Sequence, residues 1–307
     1  TEPAMTTPAS REPDRASPLG VGTGFTLLAA SGFAAVSILT SLATRSGLSL
    51  STVLAWRYVM SAVVLVVWVG TQTYPKRMRG NEALLWIAVG GGGQALLVYL
   101  ALSSLAFISA ATLAFLFYTY PVWVTLVQTV RGAERLDGRR GAALVLSFAG
   151  TAVMVGSPAA GGVEWRGYAL ALGAAVLYGF YIPAMQLMQK DWPVAVTSAY
   201  SKIGAAACFL LLSVSDRSFT YTITPAAWGA LIALTLWSTV LPSVFFLRGL
   251  MLLGPVRTAI VSTVEPFLTA LLGIAVLGQP LTFRTAAGGV AIVAAVIVLQ
   301  VKRSRVA

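Results

Sequence analysis

The chain has 307 residues, of which 57% are hydrophobic and only 10% charged, with a formal net charge of +11 and no histidine. A soluble domain carries about 25% charged residues, so most of this chain has no water to face. Every histidine-dependent mechanism is excluded, and the positive charges fall between apolar runs, where membrane topology explains them better than nucleic acid does.

In chain order, residues 1–18 are rich in Pro, Ser, Thr and charge and read as a disordered cytoplasmic tail. Met5 is a candidate start, with residues 1–4 then a cloning remnant. The first apolar run is too long for a signal h-region and has no clear cleavage site, so no signal peptide is expected. Ten apolar runs follow, near 20–43, 50–70, 83–105, 108–130, 139–156, 166–188, 193–214, 226–248, 256–277 and 283–301. About 20 residues of helix cross a ~30 Å hydrocarbon core. The stretch from Ala83 to Val130 holds no formal charge. As one helix it would be about 72 Å long, so two helices must meet at a short turn near 104–109. Cys208, the single cysteine, falls inside a predicted helix and reads as a small packing residue.

The chain also repeats at an offset of 145. Pro121 pairs with Pro266, Arg57 with Lys202, Gly22 with Gly167, Glu134 with Gln279 and Arg139 with Arg284. Each copy holds an odd number of crossings, so the second must enter the membrane from the opposite side. The expected fold is therefore an all-α membrane protein, ten transmembrane helices in two inverted five-helix repeats. The repeats span 19–157 and 164–301, and 302–307 is a second cytoplasmic tail. Inverted repeats are the architecture of secondary transporters.

Lys and Arg set the orientation. With both termini cytoplasmic, fourteen of the 21 lie inside, including Lys76, Arg77, Arg131, Arg135, Arg139 and Arg140. Four lie outside: Arg45, Arg166, Arg217 and Arg284. Three, Arg57, Lys202 and Arg248, fall within helices or at their ends. The basic loop 131–140 has as its repeat mate the segment 276–285, which keeps one basic residue, Arg284.

Several residues stand out against this apolar background. Glu265 is the one acid in mid-membrane, where a carboxylate normally faces a cavity or a partner. It could carry a proton, contact a substrate ammonium, or pair structurally with Arg57 or Lys202. Those two cations could hold a substrate carboxylate, snorkel, or tie helices together. Pro121 and Pro266 each remove a backbone hydrogen bond and are candidate hinges, or simply shape packing. Gly90, Gly91, Gly92 and Gly93 make either a flexible segment, the favoured reading, or a surface for close helix approach. Trp86, Trp165, Trp192 and Trp228 sit at predicted helix ends and read as interface anchors. Helix midpoints fall near Gly32, Gln94, Tyr118, Tyr178, Trp237 and Glu265, with Tyr99, Tyr120 and Phe245 displaced from mid-depth. At least half of the midpoint residues are expected to line a central cavity, Gln94 and Trp237 foremost, and Tyr99 and Phe245 join them as candidates.

Two segments, "YTYPVWVTLVQTVRGAERLDGRRGAALVLSFAGTAVMV" and "STVEPFLTALLGIAVLGQPLTFRTAAGGVAIVAAVIVLQ", carry a mid-helix Pro, a Gly-Glu-Arg-Leu-like turn and a Gly-rich final helix. With Arg57 and Tyr58 in the second helix, this resembles the EamA repeat of the drug/metabolite transporter superfamily. One departure is Gln279 and Pro280, where the second copy lacks the pair Glu134 and Arg135. The resemblance implies an exporter in a bacterial inner membrane, with helices 1–4 and 6–9 around a cavity and helices 5 and 10 as braces. It also points to amino acids, aromatic or broad-range, as cargo; the alternatives are drugs or other metabolites, or a facilitator without ion coupling. The expected partners are a small-molecule substrate and the bilayer, with proton coupling a candidate and nucleic acid not expected. The final helix, with its "AAGGVAIVAA", suits close packing or dimerisation, so monomer and homodimer both stand. No cofactor or metal is expected, because there is no phosphate-cradling Gly-x-x-x-x-Gly-Lys motif and no Cys/His/carboxylate cluster. Without a convergent polar site for Ser- or Lys-based catalysis, the chain is not expected to be an enzyme.

Overall fold

A computed structural model describes residues 18–74, 78–108, 110–135, 137–155, 164–278 and 280–300. Residues 1–17 of the expected first tail, the whole of the second, and Lys76, Arg77 and Gln279 lie outside the described residues, while Pro18 opens the first helix. All regular elements among the described residues are helices. We number ten rods: α1 Pro18–Arg45, α2 Leu50–Gly70, α3 Gly80–Ser104, α4 as Ala110–Phe117 and Tyr120–Val130, and α5 Gly138–Val155. The second half holds α6 Trp165–Gln189, α7 Val194–Ser215, α8 Pro225–Leu253, α9 as Pro255–Ser262 and Glu265–Leu277, and α10 Phe283–Gln300.

Local chemistry sets several ends. Ser49 caps α2, its hydroxyl accepting from the Thr52 amide at 3.1 Å. Thr224 caps α8 in the same way, with Pro225 at the first helical position, where a missing N–H costs nothing. Gly254, at φ +78°, turns the chain between α8 and α9, a conformation that L side chains rarely adopt. That turn lets α8 run five residues past its expected end.

Nine of the described rods are long and apolar enough to cross a membrane. The expected tenth, α5, matches α10 in length at 18 residues. It falls short in mean hydropathy because Arg139 and Arg140 open its first turn. The outer faces carry large exposed apolar side chains, such as Leu211 and Val290, a surface suited to lipid rather than water. Cys208 corrects its expectation: it is exposed on that outer surface and not buried in packing.

The most extensive helix pairings map onto themselves when the halves are exchanged. Contact of α1 with α8 and α9 is mirrored by contact of α6 with α3 and α4. Contact of α2 with α8 is mirrored by α7 with α3, while α2–α7, α4–α9 and α5–α10 are their own images. The same exchange is visible atom by atom. A Cβ on Gly22 would stand 2.8 Å from Leu252 and 2.9 Å from Leu253, and one on Gly167 would stand 2.8 Å from Phe107 and 2.6 Å from Ile108. All three correspondences are 145 residues apart. Between α5 and α10, Gly150 and Gly288 each leave no room for a side chain against the other's carbonyl, so the two backbones touch.

Symmetry extends to the interruptions. Helix geometry lapses at Tyr118 and Thr119 in α4 and at Thr263 and Val264 in α9, again 145 apart. Pro121 and Pro266 each stand second in the helical segment that follows, where their missing N–H is least disruptive. The halves differ in one respect: α1 is interrupted at Ala35, whereas α6 runs unbroken through Pro183.

Candidate functional site

A cavity of about 310 Å³ lies between the halves. Its wall is drawn from α1 (Phe33, Val36, Thr40), α2 (Leu54, Arg57, Tyr58), α3 (Trp86, Gln94), α4 (Phe117), α6 (Tyr178, Tyr181, Met185), α7 (Ser198, Ser201, Lys202), α8 (Ser243, Phe246, Leu247) and α9 (Glu265). Neither α5 nor α10 contributes to it.

Two π-helical stretches shape the wall. In α3 the ladder widens over Trp86–Gly92, and in α8 over Leu236–Val240. Such bulges displace backbone hydrogen bonds and offer carbonyls to other partners. The Gly90 carbonyl accepts from the Tyr181 hydroxyl at 2.7 Å. In α8, Pro242 has no N–H for the Ser238 carbonyl four residues back. Arg57 supplies the donor instead, Nη2 to Ser238 O at 3.2 Å, while its Nε donates to Thr239 Oγ1 at 2.6 Å. Lys202 Nζ donates to Gln94 Oε1 at 2.8 Å. Both cations are buried, with Arg57 7% and Lys202 3% exposed. Each lies over the Tyr58 ring, 5.3 Å and 5.5 Å from its centre respectively.

Glu265 heads the second segment of α9, at the helix interruption. A carboxylate at a helix N-terminus meets free amides and the positive end of the helix dipole. The Tyr118 hydroxyl lies close to it. Beside it runs a chain of rings: Phe117 stacks on Tyr178 at 5.6 Å, and Tyr120 lies 4.7 Å from Tyr178. The Tyr120 hydroxyl, its ring fully buried, donates to the Ala259 carbonyl at 3.2 Å. Glu265 and Tyr120 are repeat mates, so the carboxylate is present at one interruption and absent from the other.

The structure brings Gln94, Tyr178, Glu265, Arg57 and Lys202 to one cavity wall. Tyr118 is not part of the wall but lies close to Glu265. Trp237 and Tyr99 lie elsewhere, 54% and 50% exposed, because the rotation of a helix cannot be read from its midpoint. Gly32 is wedged against Pro242 and the Trp237 carbonyl, where it lets α1 approach α8. Phe245 stacks on Phe25 at 5.9 Å, away from the cavity. Among the four glycines, close approach is what Gly91 provides: a Cβ there would stand 2.5 Å from Gly204 Cα and 2.5 Å from Ser201 O. Gly90 is likewise buried in this seam, Gly93 abuts the Tyr181 ring, and Gly92 has no close neighbour beyond its own helix.

Sequence reasoning missed Tyr58, Phe117, Tyr181 and Ser201. The first two adjoin residues already singled out, Arg57 and Tyr118. Trp86 corrects its reading as an interface anchor: α3 starts earlier than expected, and the ring is 2% exposed and lines the cavity. Trp165 is exposed, while Trp228 packs edge-on against Trp56 at 5.3 Å. Trp192 is buried rather than exposed at an interface.

Polar clasps lie at opposite ends of α8. At one, Ser51 Oγ donates to Asp216 Oδ2 at 2.6 Å, and Trp56 Nε1 to the Thr220 carbonyl at 3.0 Å. Hydrogen bonds from Ser218 and then Ser51 hold the Asp216 carboxyl below the usual aspartate range. At the other end, Arg140 Nη1 pairs with Glu134 Oε2 at 2.8 Å, and Glu134 Oε1 reaches the glycine turn at Gly254. The backbone amide of Arg140 lowers the Asp137 carboxyl, aided by the charges of Arg140, Arg139 and Arg257.

Comparison with known proteins points one way. The EamA-like transporter family matches twice, over residues 20–156 and 165–301, which are again 145 apart. A protein of known crystal structure shares the fold with a TM-score of 0.75 at 20% identity, over 91% of this chain and 96% of its own. A search of curated proteins found no match.

Proposed function

The chain belongs to the EamA-like transporter family, and on that premise we propose that it exports amino acids across a bacterial inner membrane by alternating access. As a member it is a multi-pass membrane transporter of small molecules. The observation that carries the finer reading is the cavity itself. It presents a carboxylate, Glu265, and two cations, Arg57 and Lys202, within a wall rich in aromatic rings. An amino acid offers the complementary ammonium and carboxylate, and rings such as Tyr178 and Phe117 offer a stacking surface to its side chain. At about 310 Å³ the space falls in the ~300–1,000 Å³ range of small-molecule sites.

The alternating-access part rests on an inversion of the halves, which the charge difference between loop 131–140 and its mate 276–285 supports. On this reading all ten rods cross, α5 included, and both termini are cytoplasmic. The test is counterflow of labelled amino acids in proteoliposomes. Accumulation driven by an unlabelled amino acid inside supports the assignment. No competition by any amino acid sinks it in favour of other metabolites.

A further inference from the structure

We infer that Arg57, Tyr58 and Lys202 form one anion site, shared by the two halves, which holds the carboxylate of the cargo in both the outward-open and inward-open states. The inference rests on the transport reading above. Among the described residues neither cation is ion-paired; the acceptors of their hydrogen bonds are neutral, namely Thr239, Ser238 and Gln94. A guanidinium has five N–H donors and an ammonium three, so both retain donors after these bonds. Buried charge in a membrane protein is normally paired, and here two like charges converge on one ring and repel each other. A carboxylate between them satisfies both at once.

Symmetry supplies the second half of the inference. Arg57 and Lys202 are 145 residues apart, and so are their partners Gln94 and Thr239. Exchange of the halves therefore carries the Arg57–Thr239 bond onto the Lys202–Gln94 bond. In an inverted-repeat transporter the two open states differ by such an exchange around a fixed central site. A site that maps onto itself keeps its grip while the access side changes.

The probe is equilibrium binding of radiolabelled phenylacetate and phenylacetamide, equal in shape but not in charge, to the full chain in lipid nanodiscs. The parent is expected to prefer the carboxylate by at least about tenfold, as a site built around one polar group does. Arg57→Gln and Lys202→Gln are expected to bring that ratio close to one. Gln94→Glu should do the same without leaving an unpaired charge, because the new carboxylate occupies Lys202 internally; it covers the case where a neutralised variant fails to fold. The exchange Arg57→Lys with Lys202→Arg is expected to keep the ratio, and its loss overturns the equivalence of the two positions. No phenylacetate binding by the parent, a parental ratio near one, or a ratio unchanged in Gln94→Glu overturns the site. Carboxylate preference without amino acid counterflow instead sinks the amino acid reading while supporting the anion site.

Discussion

Glu265 is a carboxylate at the head of the second segment of α9, close to the Tyr118 hydroxyl and facing a cavity. If it carries the coupling proton, Glu265→Gln abolishes the dependence of transport on a pH gradient while exchange of labelled substrate partly survives. Uptake by the variant that still follows the gradient removes Glu265 from coupling. Outside the membrane, Asp216 gives a second pH test. Its carboxyl titrates below the ordinary value near 4, so its contribution to stability is full above that value and fades as pH falls through the folded one. Asp216→Asn should lower the thermal midpoint slightly at neutral pH, and the difference should shrink as the medium is acidified below the ordinary aspartate value; a gap that widens on acidification contradicts the sign. Residues of this kind were legible in the sequence because a charge in an apolar run is conspicuous without any structure. Among the aromatic wall residues, Tyr178 was a candidate, whereas Phe117, Tyr181 and Phe246 were not. One residue along a helix turns the side chain by about 100°, so Phe117 lines the cavity while Tyr118 is not part of its wall, and Trp237 at mid-depth faces outward.

Among elements, the α3–α7 seam shows how far glycine spacing can mislead. Four consecutive glycines looked like a soft point because one face of a regular helix uses only every third or fourth position. The π-helical stretch alters that register and brings Gly90 and Gly91 together into the seam, opposite Gly204 and Ser201. A side chain on Gly204 would collide with the Ile87 carbonyl, and backbone cannot swing aside as a flexible side chain can. Gly204→Ala should therefore destabilise by about 1–3 kcal/mol, read as a lower thermal midpoint in detergent. Gly229→Ala is the control. It lies in a regular part of α8 with nothing within 4 Å of the new methyl, so the change should be neutral or gain up to about 1 kcal/mol from helix propensity. Equal losses at both positions would mean that the close approach of α3 and α7 is not what the glycine serves. Helix limits, in contrast, follow from apolar run length and agree within a few residues for the nine rods long and apolar enough to cross, except where the π stretch and the Gly254 turn extend α8.

For the whole molecule, the question is which way each half points. An offset of 145 is shared by prolines, cations, helix interruptions, inter-helix contacts and the family match, and each half holds five rods. If all five rods of each half cross the membrane, the second half lies upside down. If α5 only lay along the membrane surface, the parity would fail and both halves would point the same way. The two arrangements differ in where Arg135 and Arg284 reside. Arg135 is exposed just after α4, with its carbonyl held by Arg140 Nη1 at 3.1 Å, and Arg284 is exposed in the first turn of α10. Neither side chain takes part in the cavity, so cysteine substitution at either should leave folding intact. With Cys208→Ser removing the exposed native thiol, Arg284→Cys should react with a membrane-impermeant maleimide on intact cells. Arg135→Cys should react only after permeabilisation. Labelling of both from one side would remove the inversion. The exchange of halves that lets one anion site serve two open states would go with it, and a fixed pore or a non-transport role would have to account for the cavity.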